Sequence, residues 1–83
     1  MAEKRFVYII QSQNSAAQYY IGLTWNVTSR LASHNAGESP QTRKYRPWRL
    51  VVAIAFATAE RAAAFEKYLK SGPGYAFLKR HWL

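Results

Sequence analysis

The chain contains no cysteine, so it can form no disulfide and has no thiolate with which to bind a metal. It has only four acidic side chains, which argues against a metal site built from many carboxylates. The only early apolar run, residues 6–10, is too short for a signal peptide or a membrane span. These absences predict a cytoplasmic protein that has no membrane partner.

Positive charge and aromatic side chains, in contrast, are abundant. Twelve lysines and arginines outnumber the four acids and give a net charge of +8, which predicts a polyanionic partner, nucleic acid in preference to an anionic membrane. A basic protein that merely stays soluble is the alternative. Hydrophobic residues make up 49% of the chain and aromatic residues 16%, enough for a modest core. At this length a single domain, 1–83, is expected.

Hydrophobic patterning predicts a small α+β domain. The predicted elements are strands at 6–10 and 19–24, a helix at 27–36, a surface loop at 38–47, a strand at 48–56, and helices at 59–70 and 75–82. The order β-β-α-β-α-α indicates a small sheet with helices packed on it. The first two strands should pair antiparallel, because their connection is too short for a crossover. The third strand is apolar on both faces, which predicts an interior position with cover on each side. Residues 72–74, Gly-Pro-Gly, are expected to end the preceding helix.

Glu66 is the most anomalous acid. Helical spacing places it beside an apolar stripe, where a carboxylate is costly unless it is paired, hydrogen-bonded or bound to a metal. The alternative is an ion pair with Lys67, Lys70 or Arg30, or a position at the edge of the stripe that reaches solvent.

Arg30 and His34 lie four residues apart and therefore project from the same side of the first helix. Arginine offers paired donors that match phosphate oxygens, and it can stabilise a charged transition state. The imidazole can orient a tyrosine hydroxyl or accept its proton, because its ordinary pKa is near neutrality. The alternative is that both residues lie on a solvated helix face.

Tyr8 and Tyr20 come from the two strands of the predicted hairpin. A phenol has a pKa of roughly 10, so a tyrosine that acts as a base needs positive charge or a metal nearby. The alternative is two ordinary, half-buried strand tyrosines. Strand alternation sends Tyr19 to the opposite face. Gly22 has no side chain and so permits a bulge or a close backbone approach within the strand.

The pattern Tyr-Ile-Gly-x-Thr at residues 20–24 resembles that of the GIY-YIG nuclease superfamily, and particularly of its small, stand-alone bacterial members. The arginine and histidine on the next helix and the glutamate on a later one belong to the same pattern, which covers about residues 6–80. The resemblance implies a three-stranded, mainly antiparallel sheet surrounded by helices. It also implies that Tyr8 and Tyr20 line an active site and that Glu66 binds one Mg²⁺ or Mn²⁺ ion.

The chain departs from the family pattern in two places. The first half-motif reads Phe6-Val7-Tyr8, so its glycine and isoleucine are replaced while the tyrosine remains. No asparagine follows Glu66 in the segment 67–74, where Lys70 or Ser71 would have to substitute.

A basic, aromatic segment at 43–49 is a separate signal for nucleic-acid binding. Its cations are Arg43, Lys44, Arg46 and Arg49. Cations neutralise phosphates and release counterions, while aromatic rings stack on unpaired bases. The alternative is a solvated loop whose Trp48 anchors the third strand, and for Trp48 we favour it. No motif for sequence-specific binding is present.

The sequence therefore predicts a metal-dependent endonuclease domain that acts on DNA in preference to RNA, in DNA repair or recombination. A nucleic-acid-binding module of the same fold, with weak or no turnover, is the alternative. A structural or partner-bound subunit ranks third.

Overall fold

A computed structural model gives the structure of the protein and describes residues 3–83. Its elements in chain order are β1 (Phe6–Ser12), β2 (Tyr19–Thr24), α1 (Val27–Asn35), a short 3₁₀ helix (Arg43–Tyr45), β3 (Trp48–Ala55), α2 (Ala59–Leu69) and α3 (Gly72–His81). The predicted α+β class and the order β-β-α-β-α-α are confirmed. The first two residues of the predicted domain, 1–83, lie outside the described part of the chain.

The sheet has three strands in the order β2-β1-β3, and both strand pairs are antiparallel. The expected antiparallel hairpin of β1 and β2 is confirmed, with Tyr8 opposite Gly22 and Ile10 opposite Tyr20. β1 is the central strand, and burial of nearly its whole length reflects that position.

The prediction that the third strand is interior is wrong. β3 pairs with β1 alone and forms an edge of the sheet, and most of its residues are exposed or only partly buried. Its two-sided apolar pattern depends on Ala53 and Ala55, which are exposed. Alanine is small enough to lie at the surface at little cost, so it gives an apolar pattern without requiring burial.

Helices cover the two faces of the sheet. One face packs Tyr8 and Ile10 against Val27 and Leu31 of α1, and we call it the α1 face. The opposite face packs the alternate strand residues, which include Val7, Ile9 and Ile21, against Ala62, Leu69 and Leu78 of the last two helices. The sheet therefore separates two small hydrophobic cores, as the alternation of strand side chains requires.

Capping residues mark the starts of α1 and α2 and the end of α1. The side chain of Asn26 accepts a hydrogen bond from the Ser29 amide, and that of Thr58 accepts one from the Arg61 amide. Gly37 follows α1 with a φ of 80°, a left-handed conformation that favours glycine.

Residues 72–74 do not end α2 as predicted, because they form the first turn of α3. Ser71 caps this helix, with its hydroxyl accepting a hydrogen bond from the Gly74 amide. Proline is tolerated in a first turn, where its missing N–H would have no helical partner. A Cβ atom at Gly74 would lie 1.7 Å from the Tyr68 carbonyl oxygen, so this glycine permits the close packing of α2 on α3.

The predicted surface loop at 38–47 is more ordered than expected. It contains the 3₁₀ helix, and it buries the side chains of Ser39 and Thr42. Trp48 is buried at the start of β3, as expected, and its indole N–H donates to the Thr42 carbonyl at 2.8 Å. No helix within residues 3–83 has the length and apolar character needed to cross a membrane.

Candidate active site

A polar cleft of about 520 Å³ lies along β2, which forms one edge of the sheet. Its lining residues come from both strands of the hairpin, from α1 and from α2: Lys4, Tyr8, Tyr20, Ile21, Gly22, Leu23, Thr24, Trp25, Arg30, Glu66 and Lys70. Four of the predicted functional side chains, those of Tyr8, Tyr20, Arg30 and Glu66, thus meet at one cleft. They are as many as 58 residues apart in the chain (66 − 8).

Gly22 allows Tyr8 to reach the cleft from the central strand. The two residues are partners across the hairpin, and a Cβ atom at Gly22 would lie 2.5 Å from the Tyr8 hydroxyl oxygen. Any larger residue would therefore displace the phenol. The space at Gly22 is thus filled by the Tyr8 side chain and not by the close backbone approach that was expected.

His34 lies directly behind the cleft and is completely buried. Its Nε2 atom lies 2.8 Å from the Tyr8 hydroxyl oxygen, and its Nδ1 atom lies 2.7 Å from the Thr42 hydroxyl oxygen. A neutral imidazole has one N–H donor and one acceptor, so one hydroxyl donates to the ring and the other accepts from it. The alternative of a solvated position is wrong for His34, and the residue is placed to orient Tyr8.

Burial and charge set the protonation states of this pair. Burial, reinforced by the nearby Arg30 guanidinium, lowers the pKa of His34 to about 4. Burial also raises the pKa of the Tyr8 phenol, and Arg30 offsets part of that rise. At neutral pH the pair is therefore an uncharged imidazole and an uncharged phenol.

Tyr20 lies beside this pair, as strand alternation predicts. Its ring centroid is 5.0 Å from that of His34 and 6.2 Å from that of Tyr8. Tyr19 is on the opposite face of the sheet, where it packs against the core of α2 and α3. The hairpin register therefore separates the two neighbouring tyrosines as predicted.

Glu66 faces the cleft from α2 and forms an ion pair with Lys70, one turn later. One of the alternatives weighed for this carboxylate is thus present. Its side chain is 19% exposed and that of Lys70 is 53% exposed. An exposed pair with this spacing is typically worth only about 0.5 kcal/mol, so it is easily exchanged for another partner.

The donor set at the cleft fits a single hard cation better than a cluster. Within residues 3–83, no three histidine or acidic side chains lie close enough together to form a metal site of their own. Mg²⁺ needs only one or two carboxylates, because waters and substrate phosphates supply its other oxygens. Among the residues that the structure describes, Glu66 is the one carboxylate that lines this cleft.

Several residues of the site were missed in the sequence. Lys4 and Trp25 line the cleft, although nothing in their local patterns marks them. Lys70 also lines the cleft, whereas its sequence position predicts only an ion-pair partner or a substitute for asparagine. Thr42 completes the hydrogen-bond chain from a loop that was interpreted as surface. Ser71, the other possible substitute for asparagine, serves as a helix cap instead.

The predicted nucleic-acid-binding cations do not line the cleft. Arg43 and Arg46 use their Nε–H groups on backbone carbonyls of Gly37 and Arg43, at 3.0 and 2.9 Å. Arg49 projects from β3 and donates to the side chain of Gln11 across the sheet. Lys44 is exposed, with its ammonium 5.6 Å from the centre of the Tyr45 ring. All four cations nevertheless remain exposed, as a phosphate-binding surface requires.

Comparison with known protein families yields one match over most of the chain. Residues 4–73 match the family described as the GIY-YIG catalytic domain. A UPF0213 protein of Streptococcus pneumoniae (serotype 4, strain TIGR4) is 37% identical over 71 residues, which are 84% of this chain and 70% of that protein. The resemblance expected from the sequence, including that to small bacterial members, is confirmed.

A relative with an enzymatic name matches over a smaller share of its own length. The structure-specific endonuclease subunit SLX1 homolog of Giardia intestinalis is 37% identical over 62 residues, covering 70% of this chain and 17% of that protein. Among solved structures, the solution NMR structure of the UPF0213 protein BH0048 from Bacillus halodurans is similar. It is 30% identical with a TM-score of 0.54, and the match covers 92% of this chain and 82% of that chain.

Proposed function

Because the chain belongs to the GIY-YIG family, we propose that it is a metal-dependent endonuclease domain that hydrolyses phosphodiester bonds in DNA. The observation that carries the proposal is the convergence of Tyr8, Tyr20, Arg30 and Glu66 on one cleft, with His34 hydrogen-bonded behind it. Relatives named as structure-specific endonuclease subunits support nuclease activity in general. The net charge of +8 supports a nucleic-acid substrate.

In this proposal Glu66 holds one Mg²⁺ or Mn²⁺ ion after its carboxylate leaves Lys70. A divalent ion held there by Glu66 would supply Lewis-acid stabilisation of the charge that develops on the phosphate. Lys70, released from the pair, is then free to contact a neighbouring phosphate. The weak ion pair thus keeps the carboxylate in place without opposing metal binding strongly.

Tyr8 is the group that receives the proton of the attacking water. With the imidazole proton on Nδ1, the Tyr8 hydroxyl donates to Nε2 of His34 and leaves a lone pair for the water. As the water oxygen bonds to phosphorus and the bond to the leaving oxygen breaks, the water proton passes to Tyr8 and the Tyr8 proton passes to His34. The leaving oxygen takes a proton from solvent.

The low pKa of His34 limits how it can act. Protonating an imidazole of pKa about 4 at pH 7 costs about 4 kcal/mol, so His34 holds the proton only briefly. Its main contribution is to orient Tyr8. Arg30, which stays protonated at any working pH, stabilises the charge that develops on the phosphate.

A DNA-binding module without turnover is the second candidate, and the ion pair of Glu66 with Lys70 is the observation that favours it. In that case the carboxylate stays paired and the cleft holds a phosphate through Arg30 and Lys70 alone. Binding would then be independent of Mg²⁺, and no cut strand would form.

We propose a cytoplasmic location and a role in DNA repair or recombination. The absence of cysteine agrees with a reducing compartment.

A cleavage panel tests the proposal. Paired, nicked and branched DNA and matched RNA are incubated with Mg²⁺, Mn²⁺ or a chelator, and the products are resolved by length. We expect metal-dependent cleavage of DNA by the wild type and a loss of roughly 10²-fold or more in Glu66→Gln, which removes the charge but keeps the size of the side chain.

Glu60→Gln is the matched control, because Glu60 lies exposed in the first turn of the same helix. It should cleave like the wild type. Cleavage by Glu66→Gln at the wild-type rate would exclude Glu66 as the metal ligand. Binding of DNA without cleavage by the wild type under every condition would favour the second candidate.

A further inference from the structure

A second, less polar groove of about 360 Å³ adjoins the cleft on the side of α3. Its walls are Tyr19, Tyr20, Ile21, Leu69, Lys70 and Tyr75. We call it the tyrosine groove. Tyr20, Ile21 and Lys70 also line the cleft, so the two spaces share a wall and one bound strand can occupy both.

Two tyrosines that the catalytic proposal does not use shape this groove. Tyr75 is 48% exposed, an unusual position for so large a ring, while Tyr19 is half-buried against the core. Burial, with a smaller contribution from the nearby Tyr75 phenol, raises the pKa of the Tyr19 phenol. Both rings therefore border the same space from different elements, β2 and α3.

The groove lies beside the tight turn between α2 and α3. Leu69 is buried at its base, and the Tyr75 amide donates to the Ser71 carbonyl at 2.8 Å. The close approach of Gly74 to Tyr68 fixes the two helices against each other. A ring presented on such a frame loses little conformational entropy when a ligand stacks on it.

We propose that the tyrosine groove binds one unstacked nucleobase of the strand whose phosphate occupies the cleft. The groove is at the small end of the range of ligand sites, roughly 300–1,000 Å³, which suits a single base. Aromatic faces stack on any base, and Lys70 stands between the base and the cleft to meet the connecting phosphate. The inference rests on the proposed function and names its substrate class.

A base in a continuous duplex cannot enter the groove without leaving its stack. Unpairing and unstacking a base costs a few kcal/mol, and that cost is absent where the nucleotide is already single-stranded. The preferred substrate is therefore DNA with an unpaired nucleotide beside the phosphate that is cut.

The test compares binding to two DNA probes in the presence of a chelator, so that no cleavage occurs. One probe is a fully paired duplex, and the other is the same duplex with a short single-stranded oligothymidine branch. Fluorescence anisotropy gives the ratio of the two dissociation constants. We expect the wild type to prefer the branched probe, and Tyr75→Ala to reduce that preference by about 10-fold, as expected for the loss of one stacked base.

Two further variants separate stacking from other effects. Tyr75→Phe keeps the ring and should keep the preference. Tyr68→Ala removes a tyrosine of similar exposure, 41%, that lies outside the groove and packs on Phe65 and Phe77. Tyr68→Ala should leave the ratio of the two dissociation constants unchanged, because a general loss of protein stability weakens binding to both probes equally.

The proposal is overturned if the wild type binds both probes equally, if Tyr75→Ala weakens both to the same degree, or if Tyr68→Ala has the same effect as Tyr75→Ala. Loss of preference in Tyr75→Phe would likewise exclude stacking, because only the hydroxyl is removed. These outcomes are independent of cleavage, which the Glu66 panel measures. A preference for the branched probe without any cleavage would retain the groove and reject the nuclease.

Discussion

His34 has both ring nitrogens in hydrogen bonds, to Tyr8 and to Thr42, and no exposure to solvent. Such a histidine is stable only while it is neutral, because a buried charge here has no acidic partner and faces the Arg30 guanidinium. The charged or titratable groups around it are Arg30, Tyr8 and Tyr20. The residue therefore couples the protonation of the site to the folding of the chain.

The stability of the protein should fall as the pH falls from 6.5 to 4. In this range the unfolded chain binds a proton at His34, whose pKa is then near 6.5, while the folded chain does not until about pH 4. The full difference is about 3 kcal/mol in the free energy of unfolding.

Urea unfolding at several pH values measures this effect against His34→Gln, which has no titrating ring. Other groups titrate in both proteins, so the difference between the proteins isolates His34. Between pH 7 and pH 4 the free energy of unfolding of the wild type should fall by about 3 kcal/mol more than that of the variant. Parallel pH profiles for the two proteins would show that folding does not lower the pKa of His34.

The three hairpin tyrosines should differ in their importance for cleavage. Tyr8→Phe and Tyr20→Phe each remove a hydroxyl from the cleft while keeping the ring, and we expect each to lower the cleavage rate by roughly 10²-fold or more. Tyr19→Phe changes a residue on the opposite face and should have little effect. Single-turnover kinetics measure the rates, and thermal melts show whether the variants are folded. A damaging Tyr19→Phe, or three silent variants, would reject the assigned catalytic groups.

At the scale of secondary-structure elements, local rules predicted the parts of the site that lie on the hairpin and on α1. Strand alternation alone separated Tyr20 from Tyr19, and helical spacing alone placed Arg30 and His34 on one side. The edge position of β3 was not predictable, because pairing partners depend on contacts that are distant in sequence. For the same reason Thr42 gave no signal, since its role depends on how the loop folds back onto α1.

The start of α3 was misplaced because Gly-Pro-Gly is typical of helix ends and of helix beginnings. Only the packing of α2 on α3 distinguishes the two cases. The helices meet so closely that Gly74 touches the Tyr68 carbonyl, whereas a Cβ atom at Gly72 would meet nothing within 4 Å. Helix packing therefore requires glycine at position 74 but not at position 72, although the two positions are only two residues apart.

This difference gives a matched pair of substitutions. Gly74→Ala must force α2 and α3 apart, and we expect it to reduce the free energy of unfolding by about 2 kcal/mol or more. Gly72→Ala has room and restricts the unfolded chain, so it should be neutral or stabilising by up to about 1 kcal/mol. Thermal and denaturant unfolding of both variants checks the prediction. Equal effects at the two positions would contradict the close packing of the helices.

At the scale of the whole molecule, seven of the twelve lysines and arginines lie in two regions, the cleft and the segment 43–49. The cleft has the cations Lys4, Arg30 and Lys70, and the segment 43–49 has four more cations outside it. The two regions are linked through Thr42, which directly precedes the basic segment and is hydrogen-bonded to His34 behind the cleft. The basic segment thus begins beside the ring nitrogen of His34 that is not bonded to Tyr8, and none of its cations lines the cleft.

The basic segment should supply a measurable share of the salt dependence of DNA binding. Each phosphate contact makes the slope of log K against log salt more negative by about 0.9 on duplex DNA. Replacing the four cations of the segment by glutamine should therefore make the slope less negative by up to about 3.6 (4 × 0.9). The four are Arg43, Lys44, Arg46 and Arg49. Glutamine keeps an amide N–H that can still reach the backbone carbonyls. A salt titration of binding to a labelled duplex, in the presence of a chelator, measures the slope.

The control neutralises Lys79 and Arg80, which are exposed at the end of α3. If the slope changes only in this control, the DNA-binding surface is on α3 and not in the segment 43–49. If the slope changes in neither variant, the cleft cations make the main phosphate contacts.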